Sequence, residues 1–156
     1  MPRFLRVVRQ ARWSRPSWTD NGALDWQADA LSDLSTMRNS LSVYQADSDE
    51  MLHQVIAGFA ANRDNLANVD YALIEGQLLD AMRLQVVSSD GETPHTGANL
   101  LHHDIVNLTA DNVLQLVRSI SADDVRRVPA RTVKAFIQRG LADGHIASAR
   151  LKFSVG

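Results

Sequence analysis

A chain of 156 residues, 45% hydrophobic and 22% charged, has the size and composition of one folded domain rather than of a disordered segment. It contains no cysteine, which excludes a disulfide framework, a thiolate metal site and a cysteine nucleophile. The net charge of −2 conceals a segregation: residues 1–19 carry +5, residues 20–117 carry −12 and residues 118–156 carry +5. Such a layout either closes on itself, basic ends against an acidic middle, or presents a bipolar surface to charged partners.

Residues 4–10 read as a strand, with Val7 and Val8 favouring extended backbone. Arg6 and Arg9 interrupt the apolar stretch there, unlike a secretory signal, whereas the Arg-rich, acid-free start has the composition of an organellar transit segment. Residues 13–26 hold Trp13, Trp18 and Trp26 among Ser, Pro, Asn and Gly, a loop pinned by aromatics. These three tryptophans are candidates for a protein interface, where aromatics concentrate binding energy; anchoring the core is their other use.

Residues 40–45 alternate as a strand. Asp47-x-x-Glu50 resembles a capping box and predicts a helix to about residue 66, with Met51, Leu52, Val55, Ile56, Phe59 and Ala60 facing the core. Residues 69–75 read as a buried strand, 77–82 as a helical turn and 84–88 as another strand. Asp90-Gly91, Pro94 and Gly97 mark a loop over 88–97. A short helix is expected over 98–106, placing Leu101, Ile105 and Leu108 inward. Thr109 caps the next helix, over 110–120, with Val113, Leu116, Val117 and Ile120 on its apolar side. Ser121 caps a short turn through Val125, Pro129 opens a helix that ends at Gly140, and residues 149–155 alternate as a closing strand.

The expected fold is α+β: a single domain with a mixed or antiparallel sheet of four or five strands, helices mainly on one face, and a helical C-terminal third ending in a strand. The order helix, short helix, turn, helix, strand over residues 108–156 resembles a winged helix-turn-helix. That resemblance implies a second helix entering a DNA groove. It makes Arg126, Arg127, Arg131, Lys134, Gln138, Arg139, Arg150 and Lys152 the candidate nucleic-acid contacts, since Arg and Lys neutralise phosphate and Arg or Gln reads base edges.

His95, His102, His103 and Asp104 combine residue types suited to acid–base or metal chemistry. Adjacent residues on a helix point about 100° apart, however, so His102 and His103 do not form a simple metal site, and no paired-ligand motif accompanies them. No phosphate-binding glycine loop and no nucleophile elbow is present. No catalytic residue, metal or cofactor is assigned. The expected function is a small non-catalytic interaction or accessory protein acting through a protein partner or larger assembly. The alternatives are a nucleic-acid-binding regulator and a small His/Asp-dependent enzyme, such as a metal-assisted hydrolase. No apolar run reaches the ~18 residues of a membrane span, and a cytoplasmic location without membrane association is expected.

Overall fold

A computed structural model describes residues 1–13, 28–120 and 124–156. Six strands form one antiparallel sheet: β1 (Arg3–Val8), β2 (Leu41–Gln45), β3 (Val69–Glu75), β4 (Gln85–Ser88), β5 (His102–Val106) and β6 (Arg126–Val128), in the order β4-β5-β2-β1-β3-β6. The helices described are α1 (Ala30–Asp33), α2 (Asp49–Ala61), α3 (Gly76–Ala81), α4 (Thr96–Asn99), α5 (Ala110–Ser119) and α6 (Ala130–Ala142), with 3₁₀ turns at Gln10–Trp13 and Ser148–Arg150. The α+β architecture is as expected; the sheet has six strands rather than four or five.

Two-residue alternation along the strands divides the core in two. Phe4, Val8, Leu41, Val43, Ala72, Ile74 and Ile105 point to one face, where Trp13, Leu34, Leu79, Leu116, Val117 and Ile120 from the turns and from α3 and α5 cover them. Leu5, Tyr44, Val69 and Tyr71 point to the other, under Val55, Ile56 and Ala60 of α2 and Val133 and Ile137 of α6. Helices therefore cover both faces, correcting the expectation of one: α2 and α6 pack on the face opposite α1, α3 and α5. Each fully buried aliphatic side chain contributes about 1.5–3 kcal/mol.

Local chemistry accounts for most boundaries. Ser48, not Asp47, caps α2, its hydroxyl accepting from Met51 N–H at 3.2 Å. Thr109 and Asn112 form a reciprocal capping box at the start of α5. α6 begins after Pro129 and continues through Gly140, stopping at Ala142, because the turn is made by Gly144 at φ +77°. Gly140 serves packing instead: a Cβ there would lie 2.7 Å from Ile146 Cδ1.

Three expectations are overturned. Residues 102–106 are a strand, not a helix, because β5 pairs on both sides, with β2 and with β4. Residues 126–128 are strand β6 beside β3, not part of a short helix, so no helix-turn-helix precedes α6; the capped turn expected at Ser121 falls partly outside the described residues. The segment after residue 147 forms no strand. It lies along the α2–α6 layer, tied by Gln138 Nε2 donating to Val155 O (2.6 Å) and Lys152 Nζ to Asn62 O (3.5 Å).

Gly58, inside α2, marks the closest approach of α2 to the segment before α4. A Cβ there would stand 2.6 Å from Thr93 Oγ1 and 3.1 Å from Ala98 Cβ. Thr93 cannot swing away freely, since its hydroxyl donates to Asn99 Oδ1 at 2.8 Å. Gly58→Ala, which would ordinarily favour a helix by about 1 kcal/mol, is expected here to destabilise by roughly 1–3 kcal/mol through overpacking, measured by urea unfolding.

Candidate binding cleft

The segregated charge of the sequence closes in part on itself, through four ion pairs among the described residues. Arg12 Nη1 meets Asp33 Oδ1 at 2.8 Å, Arg127 Nε meets Asp70 Oδ1 at 2.7 Å, Arg139 Nη2 meets Glu50 Oε2 at 3.1 Å and Lys152 Nζ meets Asp64 Oδ1 at 3.2 Å. Each pair joins a basic end to the acidic middle. The two hydrogen bonds from Arg127 hold the Asp70 carboxyl below its ordinary range. Of the eight basic and polar residues read as nucleic-acid contacts, Arg127, Arg139 and Lys152 are thus engaged in ion pairs. Gln138 is bonded to Val155 O, and Arg150 reaches Thr93 O at 3.5 Å. Among the described residues Arg126, Arg131 and Lys134 carry no ion pair.

Arg126 belongs to a cleft the sequence did not reveal. Antiparallel pairing places Arg126 opposite Tyr71, on the sheet face shared with α2 and α6. There a cleft of about 360 Å³ opens between the two helices, within the range of ordinary ligand sites. Tyr71 and Leu73 floor it; Leu52 and His53 of α2 and Thr132 and Phe136 of α6 wall it; Arg3 and Arg126 stand at its rim. Arg3 is positioned by its own N–H donating to Asp47 Oδ1 (2.7 Å) and by Nη2 reaching Asp47 O (3.2 Å). Tyr71 is only 6% exposed, and among the described residues its phenol has no hydrogen-bond partner. Pro129 borders the cleft at the N-terminus of α6, where Asn68 Oδ1 accepts from Ala130 N–H at 2.8 Å. Asp49, at the start of α2, puts one carboxylate on the same lining; the two guanidinium groups and the phenol over an apolar floor suit an acidic group attached to apolar matter.

His53 stacks on Phe136 (4.1 Å, 21°) and separates this cleft from a smaller crevice of about 20 Å³, room for about one water molecule. His95 lies at its floor, 2% exposed, its ring parallel to that of His145 at 5.0 Å. His95 Nδ1 accepts from Ala98 N–H at 3.0 Å and so caps α4. Burial, and then the neighbouring His145, lower the His95 pKa from its ordinary value.

The other candidates of the histidine group do not join His95. His102 and Asp104 share one face of β5 and His103 takes the other, donating from Nδ1 to Leu101 O (2.9 Å) with its ring edge-on to Phe4. Ser89, which the sequence reading missed, sits between His102 and Asp104: its hydroxyl donates to Asp104 Oδ2 at 2.6 Å and lies 2.7 Å from His102 Nδ1. Ser42 Oγ donates to Asp104 Oδ1 at 3.0 Å. A hydroxyl has one proton, so with Ser89 donating to Asp104 the imidazole donates to Ser89 from Nδ1. In that arrangement Nδ1 is a donor to Ser89 rather than the acceptor that a nucleophile–base pair requires. Among the described residues no three His, Cys, Asp or Glu side chains are grouped to hold a metal ion. Trp13 is fully buried, its Nε1–H donating to Asp33 Oδ2 at 2.8 Å, and is a core anchor rather than a surface for a partner; Trp18 and Trp26 lie outside the described residues. Among the described residues no helix is long and apolar enough to cross a membrane. No family model, no curated protein and no solved structure matches the chain.

Proposed function

We propose that the chain is a non-catalytic interaction module that receives an acidic segment of a protein partner in the cleft between α2 and α6. One observation carries this reading. Arg126, without an ion pair among the described residues, and Arg3 face a concave surface floored by Tyr71 and Leu73, while the neighbouring Arg127 and Arg139 are consumed by internal ion pairs. An acidic side chain would take the guanidinium forks, and an apolar neighbour in the same segment would lie on Leu73 and Phe136.

Fluorescence anisotropy with a labelled peptide of alternating Glu and Leu tests it. Binding is expected to weaken with salt and to fall about tenfold, roughly 1.4 kcal/mol, on Arg126→Ala, with Lys152→Ala leaving it unchanged. No binding at low salt would remove the reading. A labelled DNA duplex run alongside addresses the nucleic-acid alternative, for which Arg131 and Lys134 on α6, without an ion pair among the described residues, speak. Duplex binding lost on Arg131→Ala and Lys134→Ala, without peptide binding, would put that alternative in its place.

A further inference from the structure

The two edges of the sheet are built differently. β6 ends one side with Arg126-Arg127-Val128 and is followed by Pro129, the charges and proline that keep an edge from pairing with another chain. β4 ends the other side with Gln85-Val86-Val87-Ser88, which holds no charge and no proline. Its residues are exposed except for half-buried Val86, and Val87 is among the few large apolar side chains left open, at 40%.

The backbone of β4 shows what this edge offers. Ser89 N–H donates to His102 O at 3.1 Å, in the register that pairs Gln85 with Val106 and Val87 with Asp104. In an antiparallel ladder alternate residues turn their N–H and C=O to opposite sides. Gln85, Val87 and Ser89 therefore face β5, and Val86 and Ser88 direct their backbone groups outward, where no further strand lies.

We infer that β4 pairs with β4 of a second copy of this chain, about a two-fold axis perpendicular to the sheet, joining two six-stranded sheets into one of twelve. The edge is self-complementary. In an antiparallel pairing centred on Val87, each Val86 exchanges backbone hydrogen bonds with Ser88 of the other copy. The two Val87 side chains meet directly on one face, covering the apolar surface each leaves open alone. A short strand pair buries well under the ~1,200 Å² of a stable interface, so the dimer is expected to be weak, with a dissociation constant on the order of micromolar.

Sedimentation velocity over roughly 5–500 µM protein tests this, a range that brackets such a constant. The expected result is a concentration-dependent monomer–dimer equilibrium. It should be abolished by Ser88→Pro, which removes an outward N–H that no bond among the described residues uses, and by Val87→Lys. Circular dichroism establishes that each variant is folded; should the proline disturb β4, Val87→Lys decides. A monomer throughout the range, or a dimer indifferent to both Val87→Lys and Ser88→Pro, overturns the inference. Neither outcome bears on the cleft between α2 and α6, which lies toward the opposite edge of the sheet.

Discussion

Asp33→Ala should lower the free energy of unfolding by about 3–5 kcal/mol. This side chain, 6% exposed, ties together a whole corner of the fold. Oδ2 accepts from Trp13 Nε1–H at 2.8 Å and from Arg9 N–H at 3.0 Å, and Oδ1 accepts from Arg12 Nη1 at 2.8 Å. Its main-chain carbonyl accepts from Arg6 Nε at 2.9 Å. Removing the carboxylate leaves the Trp13 indole N–H buried without that acceptor and deprives Arg12 of its counter-charge. Asp33→Asn, which keeps the shape but turns one acceptor into a donor, should lose an intermediate amount. Arg12→Ala, whose side chain is 30% exposed, should cost no more than about 1 kcal/mol, because water screens that part of the pair. Urea unfolding followed by circular dichroism ranks the three. An Asp33→Ala variant as stable as Arg12→Ala would show that the indole bond contributes nothing.

His95→Ala should cost about 2–4 kcal/mol, through loss of the α4 cap and of a ring enclosed between Gly97 and Gly140. Its pH behaviour is the more specific signature. Nδ1 accepts a hydrogen bond, so the folded state holds the imidazole neutral. Protonation would set an N–H against the Ala98 N–H. The charged and titratable groups lining the same crevice are Glu50 and His53 from α2, Arg139 from α6, and Asp143 and His145 from the turn beyond it. Folding lowers the His95 pKa, so the unfolded chain takes up the proton first. The stabilising contribution is complete above the ordinary value of about 6.5 and is lost as pH falls from there through the folded value. One proton accounts for at most about 2 kcal/mol between pH 6.5 and 5. His95→Asn retains a cap acceptor without a titrating group. It should be less stable than the native chain at pH 7 and show a flatter decline between pH 7 and 5; parallel declines would assign the acid sensitivity to other groups.

Where sequence and fold agree, one local signal was sufficient. β3 carries the apolar run from Tyr71 to Ile74 and has the limits that the sequence predicts, and the 3.6-residue spacing of Val55, Ile56 and Ala60 marks α2. The misreading at 102–106 has a physical cause. Leu101, Ile105 and Leu108 satisfy helical spacing, while the twofold alternation of His102 and Asp104 against His103 and Ile105 is filled by polar residues. Pairing with β2 and β4 decided between them. The apparent strand at 149–155 alternates equally well but has no neighbour to pair with. The candidate cleft was invisible because Arg3, Tyr71 and Arg126 are distant in sequence and meet only through the β1–β3–β6 register.

That register also governs how the protein can be made. β1 is synthesised before the other five strands, yet it lies between β2 and β3, with Arg3 opposite Glu75 and Val8 opposite Asp70. At ~5–20 residues per second a ribosome needs several seconds to deliver β3 after β1. During that time Phe4, Leu5, Val7 and Val8 have no sheet to enter. Only β4 and β5 are near neighbours along the chain, so folding proceeds mainly through non-local contacts and belongs to the slow, millisecond-to-second class. The nascent chain is therefore most dependent on chaperone protection at its N-terminal strand, the one that becomes among the least accessible once the sheet has closed.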